Sequence, residues 1–165
     1  MSGAAEDHHR PEHADVDVEE RPTMGTLNDD AVIRRLLTST GRWAVVGLST
    51  NTARAAYGVA ALLQRLGMEI VPVHPSAPTV HGATGFSSLR DAHDRVGGID
   101  VVDVFVNSAL AGAVVDDAIG VGASAVWLQL GVIDDDAAAR ARAAGLDVVM
   151  DRCPAIEAGR LHPPA

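Results

Sequence analysis

Trp43-Ala44-Val45-Val46 forms an apolar run that empties straight into Gly47-Leu48-Ser49-Thr50-Asn51. A buried strand of this kind, followed by a glycine turn and then a helix, presents backbone N–H groups and the positive end of the helix dipole to anionic ligands. Helical periodicity over about 56–66 supplies that helix, and Gly67 ends it in the position favoured for a C-terminal glycine. The next apolar run, Glu69-Ile70-Val71-Pro72-Val73, leads into His74-Pro75. Dinucleotide sites of this type place a carboxylate near the end of the second strand to hold ribose hydroxyls. Here Glu69 stands at the wrong end of its strand, and Gly47-x-Ser49 replaces the usual G-x-G. The ligand class expected is therefore an anionic nucleotide, without the usual nicotinamide determinant.

The same alternation continues along the chain. A glycine-bearing segment with Gly82 and Gly85 precedes a short helix near 88–95, and strands are expected at 100–106, 124–130 and 146–151, with helices near 109–121 and 134–144. Repeated strand–helix units predict right-handed crossovers, hence an α/β fold with a mostly parallel sheet between two helical layers, Rossmann-like in plan. Asn28 is the expected cap of a leader helix over Asp29–Leu37. Asp134-Asp135-Asp136 reads as an acid run opening a helix, where the dipole favours negative charge.

Composition narrows the function classes. The chain has 165 residues, enough for one domain, expected over 26–165, with residues 1–25 expected as a disordered tail rich in acids, histidine and proline. Hydrophobic residues make up 47% but aromatics only 3%, so the core is built from aliphatic side chains that suit buried parallel strands. All 13 basic residues are arginine. Without lysine, P-loop phosphate chemistry and Schiff-base catalysis are both excluded.

The net charge of -9 and the lack of a basic cluster argue against nucleic-acid binding. Much of that charge is in residues 1–22, which hold seven acids and two arginines, leaving 15 acids against 11 arginines beyond. No apolar stretch is long enough to span a bilayer, and the single cysteine, Cys153, allows no intrachain disulfide, so a cytoplasmic setting is expected. His8, His9 and His13 read as solvated tail residues, with no metal assigned. No nucleophile elbow, metal-ligand spacing or working acid pair is evident.

In a parallel sheet of this kind, ligands meet the C-terminal ends of the strands. That rule gathers Gly47–Asn51, His74-Pro75, Val106-Asn107-Ser108, Gln129-Leu130-Gly131 and Asp151-Arg152-Cys153 along one edge. Gly47 permits close backbone approach, Ser49 and Asn51 offer hydrogen-bonding groups, and Arg54 offers a bidentate fork. Ser49 and Asn51 read alternatively as local loop caps. His74 either bonds a ribose or phosphate or points into solvent. Trp127 reads as core. Cys153, before Pro154 at a helix start and beside Arg152, is a structural cysteine or, less favoured, a thiolate able to form a mixed disulfide with a thiol ligand.

Across about residues 28–162 the chain resembles the small stand-alone coenzyme A-binding proteins related to the nucleotide-binding domain of the succinyl-CoA synthetase α subunit. The resemblance rests on Val45-Val46-Gly47-Leu48-Ser49-x-Asn51 with Arg54, Tyr57 and Val59, on Val71-Pro72-Val73-His74-Pro75, on Val102-Asp103-Val104-Phe105, on Trp127-x-Gln129-Leu130-Gly131 and on Ala144–Cys153. Two positions depart from the family pattern: His74 stands where Asn is more usual, and Val106 stands where Arg commonly follows the Phe.

The resemblance implies coenzyme A or an acyl-CoA as ligand, with Gly47, Ser49, Asn51 and Arg54 near the phosphates and Tyr57 beside the adenine or pantetheine arm. The full candidate binding set is Gly47, Leu48, Ser49, Asn51, Arg54, Tyr57, Gly58, Val73, His74, Pro75, Val106, Asn107, Gln129 and Gly131. The phosphorylated histidine of the related synthetases belongs to a later domain, so no catalytic residue is carried over and a regulatory or carrier role is expected. An NAD(P)-dependent enzyme or nucleotide sensor, and a ligand-free interaction module, are the alternative classes. A homodimer through Val/Ala-rich edges is compatible with the sequence.

Overall fold

A computed structural model describes residues 23–161, and His8, His9, His13 and most of the expected tail lie outside them. Five strands, β1 (Arg42–Val46), β2 (Glu69–Val73), β3 (Val101–Val104), β4 (Ala125–Leu128) and β5 (Asp147–Met150), form one sheet in the order β2-β1-β3-β4-β5. Every pairing is parallel, with Val46 level with Val73 on one side and Val104 on the other. Among the described residues six helices accompany them: α1 (Asp30–Thr38), α2 (Ala55–Arg65), α3 (Leu89–Val96), α4 (Ser108–Gly120), α5 (Asp135–Ala143) and α6 (Pro154–Leu161). The α/β Rossmann-like architecture is the one expected from the alternating pattern.

The two-residue period of each strand sorts the core into two layers. Trp43, Val45, Ile70, Val101, Trp127 and Val149 face one layer with α1, α2 and α6. Ala44, Val46, Val71, Val73, Val102, Val104, Val126 and Leu128 face the other with α3, α4 and α5. Trp43 and Trp127 lie with ring centroids 5.7 Å apart, filling the first layer across two strands. Trp127 is fully buried, as its apolar surroundings in sequence suggest, and its indole N–H donates to the Arg152 carbonyl at 3.0 Å.

Strands stop one or two residues earlier than expected from their apolar runs. Asn107 caps α4 by accepting from Leu110 N–H at 3.2 Å, so Phe105 and Val106 are already part of a helix approach. Between β2 and α3 the chain folds back on itself through the Val80–Ala83 bridge, and Phe86 pairs with Val73. Phe86 N–H donates to Pro72 O, so Pro72 points its missing donor outward, the one place where a strand tolerates proline.

The leader helix corrects one expectation. Asp29, not Asn28, is the cap, its carboxylate accepting from Ala31 and Val32 N–H. Asn28 takes φ 52 and turns its amide onto β5, accepting from Met150 N–H at 2.7 Å and donating to Met150 O at 3.2 Å. With Leu27 bridged to Val148, residues 26–28 cover the β5 edge as a short sixth line of pairing. Gly25 lies so close to Leu146 that a Cβ there would stand 1.7 Å from the carbonyl oxygen, so this approach requires glycine. Among the described residues no helix is long and apolar enough to cross a membrane.

Asn28→Ala should therefore destabilise the fold by roughly 1–3 kcal/mol, because it strands the Met150 N–H on a sheet edge. Urea unfolding with an unchanged slope checks this, and a loss near zero would mean that the edge cover contributes nothing.

Candidate functional site

Strand order reverses between β1 and β3, and at their C-terminal ends a cleft of about 800 Å³ opens between α3 and α4. A second hollow, of about 440 Å³, lies against the outer edge of β2 near Glu69 and Val71, away from the strand ends. The switch-point cleft is where a ligand of this fold class is expected to sit.

Gly47 forms its floor beside Phe105. The residue holds φ +100, so a side chain would be strained whatever the space, and a Cβ would also crowd the Phe105 Cβ at 3.2 Å. Its N–H donates to Val73 O at 2.8 Å, pinning the turn to β2. The chain then enters α2 through Arg54, an exposed N-cap residue whose side chain lines the cleft. Arg54 supplies no side-chain cap, whereas α1, α3, α4 and α5 are capped by Asp29, Ser88, Asn107 and Asp134. Tyr57 N–H turns back to Arg54 O at 3.1 Å, and the N–H groups of Ala55 and Ala56 are left to be satisfied from outside the helix, which suits an anion.

On the β2 side, Ser76 N–H donates to His74 Nδ1 at 3.2 Å. A backbone N–H can only donate, so Nδ1 is the acceptor nitrogen and the neutral ring carries its proton on Nε2. His74 thus offers an N–H donor at the cleft wall. On the opposite side, Asp151 accepts from Gly131 N–H at 2.8 Å, and the Ser108 hydroxyl donates to Gly131 O at 3.2 Å. These bonds fix the β4–α5 turn, where Gly131 takes φ +80.

Of the fourteen residues proposed from sequence, Gly47, Arg54, Val73, His74, Pro75, Val106, Asn107 and Gly131 surround this cleft. Six do not line it. Leu48 is fully buried in the tryptophan layer and can contribute only backbone. Ser49 Oγ accepts from Asn51 N–H at 3.2 Å and Asn51 Oδ1 from Ala53 N–H at 3.0 Å, so both side chains serve the turn itself. Tyr57 packs on His81, centroids 4.3 Å apart, and Gly58 faces open space on α2. Gln129 turns to the other layer.

Sequence reasoning missed the long wall that α4 provides: Leu110, Ala113, Val114 and Asp117 face the cleft while Ala111, Val115 and Ala118 fill the core. A helix apolar on two faces was the available signal. Cys153, half-buried, packs against the tryptophan layer.

Gln129 Nε2 donates to Asp103 Oδ1, joining β3 to β4 beneath the site. Asp103 is fully buried and its Oδ2 has no partner. Burial pushes the carboxyl up to about 8, against a smaller lowering by the Gln129 hydrogen bond.

With these features in place, the chain can be classed: residues 41–159 match the CoA binding domain family, and the protein belongs to it. It is 33% identical over 123 residues to the uncharacterized protein YneT of Bacillus subtilis (strain 168), covering 74% of this chain and 89% of that one. Among solved structures, a hypothetical protein from Pyrococcus horikoshii OT3 is 35% identical with a TM-score of 0.74, over 81% of this chain and 92% of the other. The crystal structure of Prb, described as PH1109 protein redesigned for binding, is 36% identical with a TM-score of 0.75, over 83% and 94%.

Asp103→Asn keeps the oxygen that Gln129 donates to and removes the titration. The folded value of about 8 lies above the ordinary 3.8, so between them the folded chain holds a proton that the unfolded chain has released. Stability then falls as pH rises through that interval. The melting temperature of the variant relative to the parent should rise between pH 5 and pH 8, and a difference independent of pH would contradict the assignment.

Proposed function

We propose that the switch-point cleft binds coenzyme A or an acyl-CoA, and that the domain acts as a carrier or regulatory binding site rather than by chemistry of its own. The observation that carries this reading is the uncapped start of α2, opening beside Arg54 onto a glycine floor. Those groups suit a diphosphate: free N–H groups and the helix dipole meet its oxygens, and a guanidinium adds a charge-assisted fork.

Family membership supports coenzyme A as the bearer of that diphosphate. The end of β2 supports it against nicotinamide dinucleotides, since His74-Pro75 occupies the place of the ribose-binding acid. Val106, where related chains commonly carry arginine, leaves Arg54 as the cationic side chain lining the cleft. His74 adds a polar ring at the β2 end.

Calorimetry with coenzyme A, acetyl-CoA, NAD and NADP tests this reading. Binding of the two thiol carriers but not of the dinucleotides is expected, and Arg54→Ala should weaken it by about 10- to 100-fold, the value of one charge-assisted hydrogen bond. Binding by NAD or NADP alone would overturn the assignment in favour of a dinucleotide protein. Silence for all four would leave an interaction module that keeps the fold.

A further inference from the structure

The cleft is polarised. Arg54, the α2 start and His74 gather donors on the β1 and β2 side, while the α4 wall is apolar through Leu110, Ala113 and Val114 and then ends on Asp117. Leu110 is 56% exposed, as is Leu130 across from it, so this lane presents bare aliphatic surface to whatever enters. Asp117 follows Leu110 by seven residues, about 10 Å along a helix, so the carboxylate lies two turns along the apolar lane from Leu110.

Among the described residues Asp117 has no hydrogen bond or ion pair from its side chain, whereas the adjacent Asp116 accepts from Arg140 at 3.0 Å. Arg90 approaches α4 near Gly120 but makes no ion pair with Asp117.

Resting on the coenzyme A reading, we infer that Asp117 makes the site selective for acyl-CoA thioesters whose acyl group is uncharged, and that it rejects those ending in a second carboxylate. The polarity of the cleft fixes the orientation. The adenosine end of coenzyme A carries a phosphate and is drawn to His74 and Arg54. The pantetheine arm is neutral, and it matches the aliphatic lane along α4. An acyl group at the end of that arm then meets Asp117. A short aliphatic group packs against Val114 at little electrostatic cost. A terminal carboxylate is brought against a like charge in a partly enclosed groove, where the repulsion is screened less than in bulk water. The discrimination is built by repulsion, which removes one ligand class without requiring a new contact for the other.

Calorimetry of the full chain at low salt with butyryl-CoA and succinyl-CoA, acyl groups of equal carbon number, reads this directly. Succinyl-CoA should bind about tenfold more weakly, and Asp117→Asn should bring the ratio of the two affinities close to one. Asp116→Asn removes the same formal charge from the next residue, outside the cleft, and should keep the parent ratio. Equal affinities in the parent chain, or a ratio that survives Asp117→Asn, would overturn the inference while leaving coenzyme A binding intact. Collapse of the ratio in Asp116→Asn as well would assign the effect to net charge and overturn it too. Failure of the parent chain to bind any thioester would overturn the coenzyme A reading, and the selectivity with it.

Discussion

The start of α2 has no side-chain cap and leaves the backbone donors of Ala55 and Ala56 open in one place, and the proposed site depends on it. An exposed helix start could relax or fray, but α2 buries Ala56, Val59, Ala60 and Leu63 against the tryptophan layer. Its position is thereby set by apolar packing, which is indifferent to what the N–H groups find. The turn leading in is equally constrained. Gly47 takes a positive φ to leave β1, a conformation that L side chains rarely adopt, and a Cβ there would press on Phe105 at 3.2 Å. Packing on one face of the sheet therefore positions hydrogen-bonding groups that open on the other, and the proposed anion site calls for no dedicated lysine.

Much of this was legible in the sequence because the strands are short, aliphatic and separated by glycine or a capping side chain. The glycine turn, the strand order of appearance and the helix acids at Asp134 follow from local chemistry. Asn28 and Asp29 both carry good capping side chains, and sequence alone does not say which one turns away. The structure resolves it through a tertiary demand: Met150 needs edge partners, and the residue able to adopt φ 52 with an amide to offer is Asn28.

The binding set divides along a different line. Strand ends identify an edge, but each strand has two faces, and only one opens on the cleft. Val46, Val73 and Val104 share the layer that contains α3 and α4, and two residues beyond Val104 and Leu128 come Val106 and Leu130, which line the cleft. Gln129 lies between the two residues of such a pair and so belongs to the tryptophan face, as does Leu48. The alternation was available in the sequence and assigns Gln129 to the buried pair with Asp103. What was not available is the use of Ser49 Oγ and Asn51 Oδ1 within their own turn, since a side chain able to reach a phosphate can equally accept from a backbone N–H two residues on.

That buried pair shows how differently the two faces treat charge. Beneath the tryptophan layer Asp103 has no cation, and burial resolves the conflict by favouring the protonated acid, a neutral partner for Gln129 across β3 and β4. On the open face the same residue type, at Asp117, stays wetted and its effect depends on what approaches. The chain as a whole carries a net charge of -9, which at long range disfavours any anion. Salt reduces that field over about 8–10 Å, so a ligand in the cleft responds to the nearest groups rather than to the total. Within that radius the helix start and Arg54 govern one end of the cleft and Asp117 the other. On the proposed reading, an acidic protein without lysine would hold a phosphate in this way, provided that the ligand brings its own charge to one end only.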